Sequence, residues 1–213
     1  MLVTLVMAAE KSNFGGTMEI KEILLATNNQ GKVKEIKQLL YPHNVMSQSE
    51  IGIDIDVEET GETFIDNAFL KARALKNLTS CAIIADDSGL MVDYLNGEPG
   101  VYSARYAGEN TTPMQGIEKL LKNLDGVPFE GRSAHFVSVI ALIMPDGTEY
   151  SFEGRCDGYI TNILKGNNGF GFDPVFYYPP LDKTFAELSD TEKNSISHRF
   201  VAIKKLLDFI NSK

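Results

Sequence analysis

Apolar runs alternate with helix-like spacings along the first part of the chain. The apolar run 23–26 predicts a strand, and apolar positions within 33–40 recur at the spacing of one helix face. A second helix is predicted to begin after Thr63, because Asp66 completes the Thr-x-x-Asp pattern of an N-terminal cap. The apolar run 82–85 then predicts a central strand of a sheet.

The second part of the chain contains longer β-type segments. Residues 136–144 predict a long strand, and after a Pro-Asp-Gly-Thr turn residues 149–160 predict a partner that pairs back as a hairpin. Helices are predicted near 112–124 and 195–211. The buried face of the last helix is predicted to contain Phe200, Ile203, Leu207 and Ile210. We therefore expect an α/β fold, an elongated mixed β-sheet with flanking helices, in two lobes with a central cleft.

Two adjacent carboxylates, Asp86 and Asp87, follow the 82–85 strand. Open α/β sheets bind ligands beyond the carboxyl ends of their strands, so we expect a ligand here. Carboxylates this close raise one pKa unless a cation neutralises them, and Mg²⁺ is a cation that prefers oxygen ligands. The alternative is a plain turn, because Asp-Asp-Ser-Gly contains only residue types that favour turns. This segment alone does not decide between the two.

A second candidate site lies between the first strand and the first helix. It consists of Thr27, Asn28, Asn29, Gln30, Gly31 and Lys32. Backbone N–H groups at a helix N-terminus bind anions, Gly31 permits close approach, and Lys32 adds a charge for a phosphate oxygen. The spacing is not that of a Walker A loop, which disfavours a kinase. The alternative is a capped helix with a solvated lysine.

Three glutamates, Glu58, Glu59 and Glu62, precede the second helix. They form either a solvated acidic loop or a group from which one carboxylate shares a metal with Asp87. Lys71 belongs to a polar stripe of the second helix, and this stripe would face a triphosphate if the helix borders the cleft.

Two later segments carry aromatic and cationic groups. In 169–174, two glycines flank an aromatic residue, and Phe172 offers a ring for stacking on a base. Lys193, His198 and Arg199 bring three donors to the start of the last helix, where the helix dipole also favours anions. The alternatives are a structural loop tip and an ordinary helix cap.

Composition narrows the classes of function. Apolar residues make up 43% of the 213 residues, and the net charge of −9 argues against binding to a nucleic-acid backbone. Cys81 and Cys156 provide neither a disulfide framework nor a zinc pattern, so we expect a reducing, cytoplasmic setting. The apolar start of the chain is too short to span a membrane. Residues 1–17 are expected to be an extension before a single domain at 18–213.

Six motifs occur in a defined order: Thr-Asn-Asn-x-Gly-Lys, Glu-Glu-Thr-Gly, Asp-Asp-Ser-Gly-Leu, Pro-Gly-Val-Tyr-Ser-Ala-Arg-Tyr, Phe-Gly-Phe-Asp-Pro and Glu-Lys-Asn-x-x-Ser-His-Arg. In this order they resemble the inosine/xanthosine triphosphate pyrophosphatase family, and the resemblance covers about residues 21–211. It implies Mg²⁺-dependent hydrolysis of ITP, dITP and XTP to the nucleoside monophosphate and pyrophosphate. It also implies that the protein is a homodimer and that it binds a small-molecule nucleoside triphosphate.

The resemblance implies roles for the matching residues. Thr27 to Lys32 would hold the phosphates, Lys71 would lie along the triphosphate, and Ser88 would lie beside the nucleotide. Glu58 and Asp87 would ligate Mg²⁺, and Asp87 would also be the general base for the attacking water. The base-side pocket would comprise Phe170, Gly171, Phe172, Asp173, Lys193, His198 and Arg199.

The chain departs from the family pattern at Phe172, where a tyrosine or tryptophan is usual, and before Met18. A 6-oxo purine presents an acceptor to donors from Lys193, His198 or Arg199, whereas adenine presents an amino group to them. This argument does not explain how guanine is rejected. Two rival functions stay open: a pyrophosphatase for modified pyrimidine or methylated nucleotides, and a nucleotide sensor without catalysis.

Overall fold

The computed structural model describes residue 20 and residues 22–212, so the predicted extension at 1–17 lies outside the described residues. Within them, seven strands form one mixed sheet in the order β2-β1-β3-β4-β5-β6-β7. The strands are β1 (Glu22–Leu25), β2 (Asn44–Ser47), β3 (Ala82–Val92), β4 (Ser133–Ile143), β5 (Glu149–Ile160), β6 (Phe176–Tyr178) and β7 (Lys183–Thr184). The α-helices are α1 (Gln30–Leu39), α2 (Phe64–Leu75), α3 (Pro113–Asn123), α4 (Asp190–Lys193) and α5 (His198–Asn211). The predicted α/β fold with a mixed sheet is confirmed.

Helices cover both faces of the sheet. β1 pairs in parallel with β2 and β3, whereas the pairs from β3 to β7 are antiparallel. Apolar side chains of α1 and α5 pack on one face of β1, β3 and β4, and those of α2 pack on the other. A third apolar cluster beside α3 covers the far half of the long strands. Among the described residues, no helix is long and apolar enough to cross a bilayer.

β3 is longer than the sequence predicted, because it continues past residue 85 to Val92. Asp86 and Asp87 lie in its middle, where they pair in register with Ile140 and Val139 of β4. The alternative of a turn is therefore wrong, and so is the expectation that the carboxylates follow the end of the strand. Asp and Gly are depleted in strands, which concealed the continuation.

The two carboxylates point to opposite faces of the sheet, because successive side chains of a strand alternate. Asp86 follows Ile84 towards α1 and α5, whereas Asp87 follows Ala85 towards α2. The repulsion expected from their adjacency is therefore weakened by the strand geometry itself.

An uncovered edge of β3 creates room for a site. β1 ends at Leu25, opposite Ile84, while β3 runs on to Val92. Within the described residues, this edge has no strand partner until the isolated bridge between Met91 and Pro99. The N-terminus of α1 follows the carboxyl end of β1, the position at which open α/β sheets bind ligands.

α5 packs unusually close to the sheet. Its N-terminal cap is Ser197, whose hydroxyl accepts a hydrogen bond from the Phe200 amide at 3.2 Å. The buried residues of this helix are His198, Arg199, Ala202, Ile203 and Leu206. The predicted face is confirmed at Ile203, and Leu207 and Ile210 are half-buried and pack against the same core cluster. Phe200 is also half-buried but lies outside that cluster, so the prediction is wrong there. The first turn of the helix lies with its backbone directly against Gly154 of β5.

Gly154→Ala should destabilise the protein, because a Cβ there would overlap the His198 carbonyl and the Ala202 amide. Overpacking of this kind costs roughly 1–3 kcal/mol. The matched control is Gly116→Ala in α3, where a Cβ would meet the Phe172 ring at an ordinary 3.6 Å. That control should gain about 0.4–1 kcal/mol from a less flexible unfolded chain. Urea titrations measure both free energies of unfolding, and a harmless Gly154→Ala would contradict the close packing.

Candidate active site

A cleft of about 440 Å³ opens beside the uncovered edge of β3. Most of the predicted site residues line it: Thr27, Asn28, Asn29, Gly31, Lys32, Lys71, Asp87, Ser88, Phe170, Gly171, Phe172, Asp173, Lys193, His198 and Arg199. The side chains of Gln30 and Glu58 are exposed and do not line the cleft. Residues distant in sequence therefore converge on one cavity, as the motif order predicted.

The loop before α1 presents an open helix terminus to the cleft. Asn29 caps the helix, because its side-chain oxygen accepts a hydrogen bond from the Lys32 amide at 3.1 Å. The Gln30 side chain folds back and donates to the Asn28 carbonyl at 3.3 Å. A Cβ at Gly31 would lie 2.8 Å from the ring of Phe170, so glycine is needed for this ring to lie over the helix start. The arrangement suits an anion at the helix N-terminus.

Asp86 is fully buried at the centre of an ion network. Its Oδ2 atom lies 2.8 Å from the Lys32 ammonium and 3.1 Å from the Arg199 guanidinium. The hydroxyls of Ser88 and Ser138 also donate to this carboxylate. Burial raises the pKa of a carboxyl, but the charges of Arg199 and Lys32 outweigh burial and hold the pKa of Asp86 well below its usual range. Asp86 is therefore a stable anion that organises the cations of the site.

The network continues from Arg199 to the aromatic loop. Arg199 donates to Glu35 of α1, and Glu35 also accepts a hydrogen bond from Lys193 at 2.8 Å. Lys193 in turn donates to Asp173 at 2.6 Å, and Asp173 accepts from the Phe170 amide at 2.9 Å. Carboxylates and cations thus alternate from Asp86 through Arg199, Glu35 and Lys193 to Asp173.

Most donors of Lys193 and Arg199 are used within the protein, since each cation contacts two carboxylates. The Phe170 ring covers both, at 4.9 Å from the Lys193 ammonium and 5.7 Å from the Arg199 guanidinium carbon. Burial would raise the pKa of Glu35, but the charges of Arg199 and Lys193 outweigh burial and lower it. Lys193 and Arg199 therefore stabilise the structure of the cleft wall, a role that the sequence did not predict.

The two phenylalanines of the aromatic loop occupy different environments. Phe172 is only 5% exposed and packs edge-on against Tyr106, with ring centroids 6.4 Å apart. Phe170 is half-buried and lines the cleft. Both rings line the cleft, and Phe170 is the more accessible of the two, while the stacking role expected for Phe172 stays a prediction.

His198 is buried at the start of α5, where its ring stacks on Phe136 with centroids 4.7 Å apart. Burial, together with the charges of Arg199 and Lys193, holds the pKa of His198 well below its usual value, so the ring is neutral. Its Nδ1 atom has no hydrogen-bond partner among the described residues. His198 thus lines the cleft with one buried ring nitrogen unsatisfied.

Asp87 reaches the cleft from the α2 side of the sheet. Its Oδ1 atom accepts a hydrogen bond from Lys71 at 2.9 Å, and Lys71 also donates to Glu59 at 2.7 Å. The Oδ2 atom is buried and has no partner in the described part of the chain. Burial raises the pKa of Asp87, although the charges of Lys71 and Lys32 act in the opposite direction. Asp87 is thus a half-satisfied carboxylate that a cation or a proton would complete.

Of the three glutamates before α2, the structure brings Glu59 to the cleft. Adjacent side chains of an extended segment point apart, and Glu58 and Glu62 are exposed. The sequence pattern did not distinguish among them. The expected metal-ligand role of Glu58 stays a prediction.

The residues around Asp87 suit a magnesium ion that brings most of its own ligands. Among the residues that the structure describes, no group of three or more His, Cys, Asp or Glu side chains is placed to hold a metal by itself. Mg²⁺ usually keeps several waters and takes only one or two carboxylates plus substrate phosphates. The unpaired Oδ2 of Asp87, a residue that lines the same cleft as the N-terminus of α1, fits such an ion.

Sequence reasoning missed Glu35 and Arg105 and gave Asp86 no separate role. A signal existed for Glu35, which lies three residues after Lys32 and so on the same side of α1. Arg105 carried a weaker signal, because it belongs to a motif to which no chemistry was assigned.

Comparison with known proteins agrees with this geometry. A model described as the Ham1 family matches residues 23–209. The chain belongs to the Ham1 family. Its relatives include the dITP/XTP pyrophosphatase of Bacillus licheniformis, 51% identical, covering 88% of this chain and 96% of the relative. The protein of the same name from Clostridium perfringens is 48% identical and covers 89% of this chain and 97% of the relative.

Solved structures of the Ham1 family share the fold. The Staphylococcus aureus Ham1 protein has a TM-score of 0.81 at 49% identity, covering 90% of this chain and 99% of that one. A nucleoside-triphosphatase / dITP/XTP pyrophosphatase from Mycobacterium abscessus has a TM-score of 0.70 at 42% identity, with coverage of 87% and 98%. The fold is therefore that of a Ham1 protein.

Glu35→Gln should destabilise this Ham1 chain by about 3–5 kcal/mol at neutral pH, because it leaves Lys193 and Arg199 short of a buried counter-charge. A lowered folded-state pKa contributes stability above the unfolded value of about 4.3, and this contribution is lost as the pH falls through the folded pKa. The difference in the free energy of unfolding between the wild type and Glu35→Gln should therefore shrink on acidification below about pH 4.

Urea titrations at neutral and acidic pH measure this difference in the free energy of unfolding. Glu149→Gln is the control, since Glu149 pairs with a half-exposed Arg73 at the surface and its loss should matter less. A pH-independent difference for Glu35→Gln would contradict the electrostatic explanation.

Proposed function

We propose that this Ham1 chain hydrolyses ITP, dITP and XTP to the nucleoside monophosphate and pyrophosphate, with Mg²⁺ as its cofactor. The observation that carries the proposal is the position of Asp87, whose unpaired Oδ2 shares one cleft with Lys71 and the open N-terminus of α1. A carboxylate beside a phosphate-binding site suits the activation of water. The relatives named dITP/XTP pyrophosphatase support this substrate class.

The triphosphate would lie between two lysines. The amides at the start of α1 and the Lys32 ammonium would bind it from one side, and Lys71 from the other. Ser88 would lie beside it, with its hydroxyl held by a donated bond to Asp86 and an accepted bond from Arg199 at 2.8 Å. Groups fixed in this way stabilise charge that develops on phosphate oxygens without having to reorganise.

Asp87 would hold the metal through its unpaired Oδ2. Glu58, which points to solvent outside the cleft, would join it only by turning its side chain inwards, while Glu59 stays paired with Lys71. The ion would neutralise phosphate oxygens and lower the pKa of a bound water. Asp87 would take the proton of the attacking water on its carboxylate.

The base would stack on Phe170, the half-buried ring of the cleft. The unpartnered nitrogens, Nδ1 of His198 and Nε of Arg199, are available for the polar edge of the base. A 6-oxo group would accept a hydrogen bond from a donor here, whereas a 6-amino group would leave it unpaired. The proposal includes a cytoplasmic homodimer without nucleic-acid or membrane partners.

The direct test is product release from ITP, XTP, dITP, ATP, GTP and dTTP, with and without Mg²⁺. Pyrophosphate should appear from the first three nucleotides in the presence of Mg²⁺, because the mechanism cleaves between the first two phosphorus atoms. Coupled pyrophosphatase and phosphate assays distinguish this product from single phosphates. Preferential turnover of dTTP, or tight binding without any product, would instead favour one of the rival functions.

Asp87→Asn should lower kcat by about 10²–10⁴, the usual contribution of a positioned acid or base. Asp157→Asn is the matched control, because this carboxylate is 71% exposed and pairs with Arg155 on the surface. Steady-state kinetics with ITP measure both variants. Turnover close to wild type in Asp87→Asn would rule out the base role.

A further inference from the structure

The direction of Lys71 is set by two carboxylates. Its ammonium donates to Asp87 at 2.9 Å and to Glu59 at 2.7 Å, and the side chain is only 12% exposed. An ammonium has three N–H donors in a tetrahedral arrangement. With two donors fixed, the direction of the third is fixed as well, and Lys71 lines the cleft. If Glu59 moved away, Lys71 would be free to rotate about Asp87.

Glu59 has little support from its own segment, because residues 53–61 contain no helix or strand. The support comes from Arg105, whose guanidinium donates to the Glu59 carbonyl at 3.1 Å. The same guanidinium lies 3.6 Å from the Glu59 carboxylate. One side chain therefore fixes both the backbone and the charge of Glu59.

Arg105 is itself fixed to the sheet. Its segment, Gly100–Arg105, packs on β3, where the Ser103 hydroxyl accepts from the Leu90 amide at 2.9 Å and donates to the Gly100 carbonyl at 2.6 Å. A Cβ at Gly89 would overlap this segment, which shows how closely it lies on the strand. A continuous set of contacts thus leads from β3 through Arg105 and Glu59 to Lys71.

We propose that Arg105 is a positioning residue for the triphosphate site: it holds Glu59, and Glu59 aims Lys71 at the phosphates. The proposal rests on the proposed function, since it assumes that Lys71 meets a triphosphate. It assigns a role to the Pro-Gly-Val-Tyr-Ser-Ala-Arg-Tyr motif, whose arginine touches neither Asp87 nor the aromatic loop within the described residues.

Arg105→Gln should weaken binding of a non-hydrolysable ITP analogue with an α,β-imido bridge by about 3- to 30-fold, the range for a charge-assisted bond at a partly exposed site. Arg105→Lys keeps the charge but not the planar fork of donors, so its loss should be smaller. The matched control is Arg73→Gln, which removes an arginine–glutamate pair at the surface without touching the cleft. Calorimetry gives the dissociation constants, and steady-state assays give kcat and KM for ITP.

The deciding measurement repeats Arg105→Gln in a Lys71→Ala background. If Arg105 acts through Lys71, adding Arg105→Gln to the Lys71→Ala protein should weaken binding of the analogue by less than about a further twofold. If Arg105 only supports general stability, Arg105→Gln should weaken binding equally in the wild-type and Lys71→Ala backgrounds, and that result would overturn the proposal. Wild-type binding by Arg105→Gln would overturn it as well. Should Arg105→Gln fail to fold, Arg105→Lys and Glu59→Gln replace it in the same comparison.

These outcomes are separable from failure of the proposed function. A wild-type protein that releases no pyrophosphate from any nucleotide contradicts the proposed hydrolysis, whatever the variants do. An active wild type with fully additive substitutions contradicts only the role of Arg105.

Discussion

The site depends on the complete burial of the Asp86 carboxylate in the middle of a strand. A charge in that position is tolerated only if cations and hydrogen bonds compensate it, and Lys32 and Arg199 supply the cations. Because these cations come from α1 and α5, satisfying Asp86 draws both helices to the same point on the sheet. The remaining carboxylates of the network, Glu35 and Asp173, extend the constraint to the aromatic loop. The buried charge of Asp86 thus sets the positions of α1, α5 and the aromatic loop, which form the walls of the cleft.

The alternation of β3 explains how two neighbouring aspartates take different roles. Asp86 faces α5 and is satisfied by four side chains, so its pKa is lowered and it stays ionised. Asp87 faces α2, where Lys71 satisfies one oxygen and leaves the other bare, so burial dominates and its pKa is raised. A structural anion and a reactive carboxylate therefore arise from one dipeptide.

Features with local causes were predictable from the sequence. The cap at Thr63, the hairpin of β4 and β5 and the presence of the first helix, though not its exact start, all rest on spacings within a few residues. The continuation of β3 was not predictable, because its polar residues are stabilised by side chains far along the chain. Glu35 illustrates the limit: its two partners lie 158 and 164 residues away, and only the packing of α1 against α5 brings them together.

The charge balance of the cleft gives a physical reason for a divalent cation. The ion pairs in and around the cleft join five cations, Lys32, Lys71, Arg105, Lys193 and Arg199, to five carboxylates, Glu35, Glu59, Asp86, Asp87 and Asp173. Most of the positive charge is therefore already neutralised before a nucleotide enters, and the protein as a whole is acidic. A triphosphate would meet well-placed donors but no excess of positive charge, so its own charge needs a partner that arrives with it. In the proposed reaction, a divalent cation that enters with the nucleotide would meet this need, and the unpaired oxygen of Asp87 would hold it.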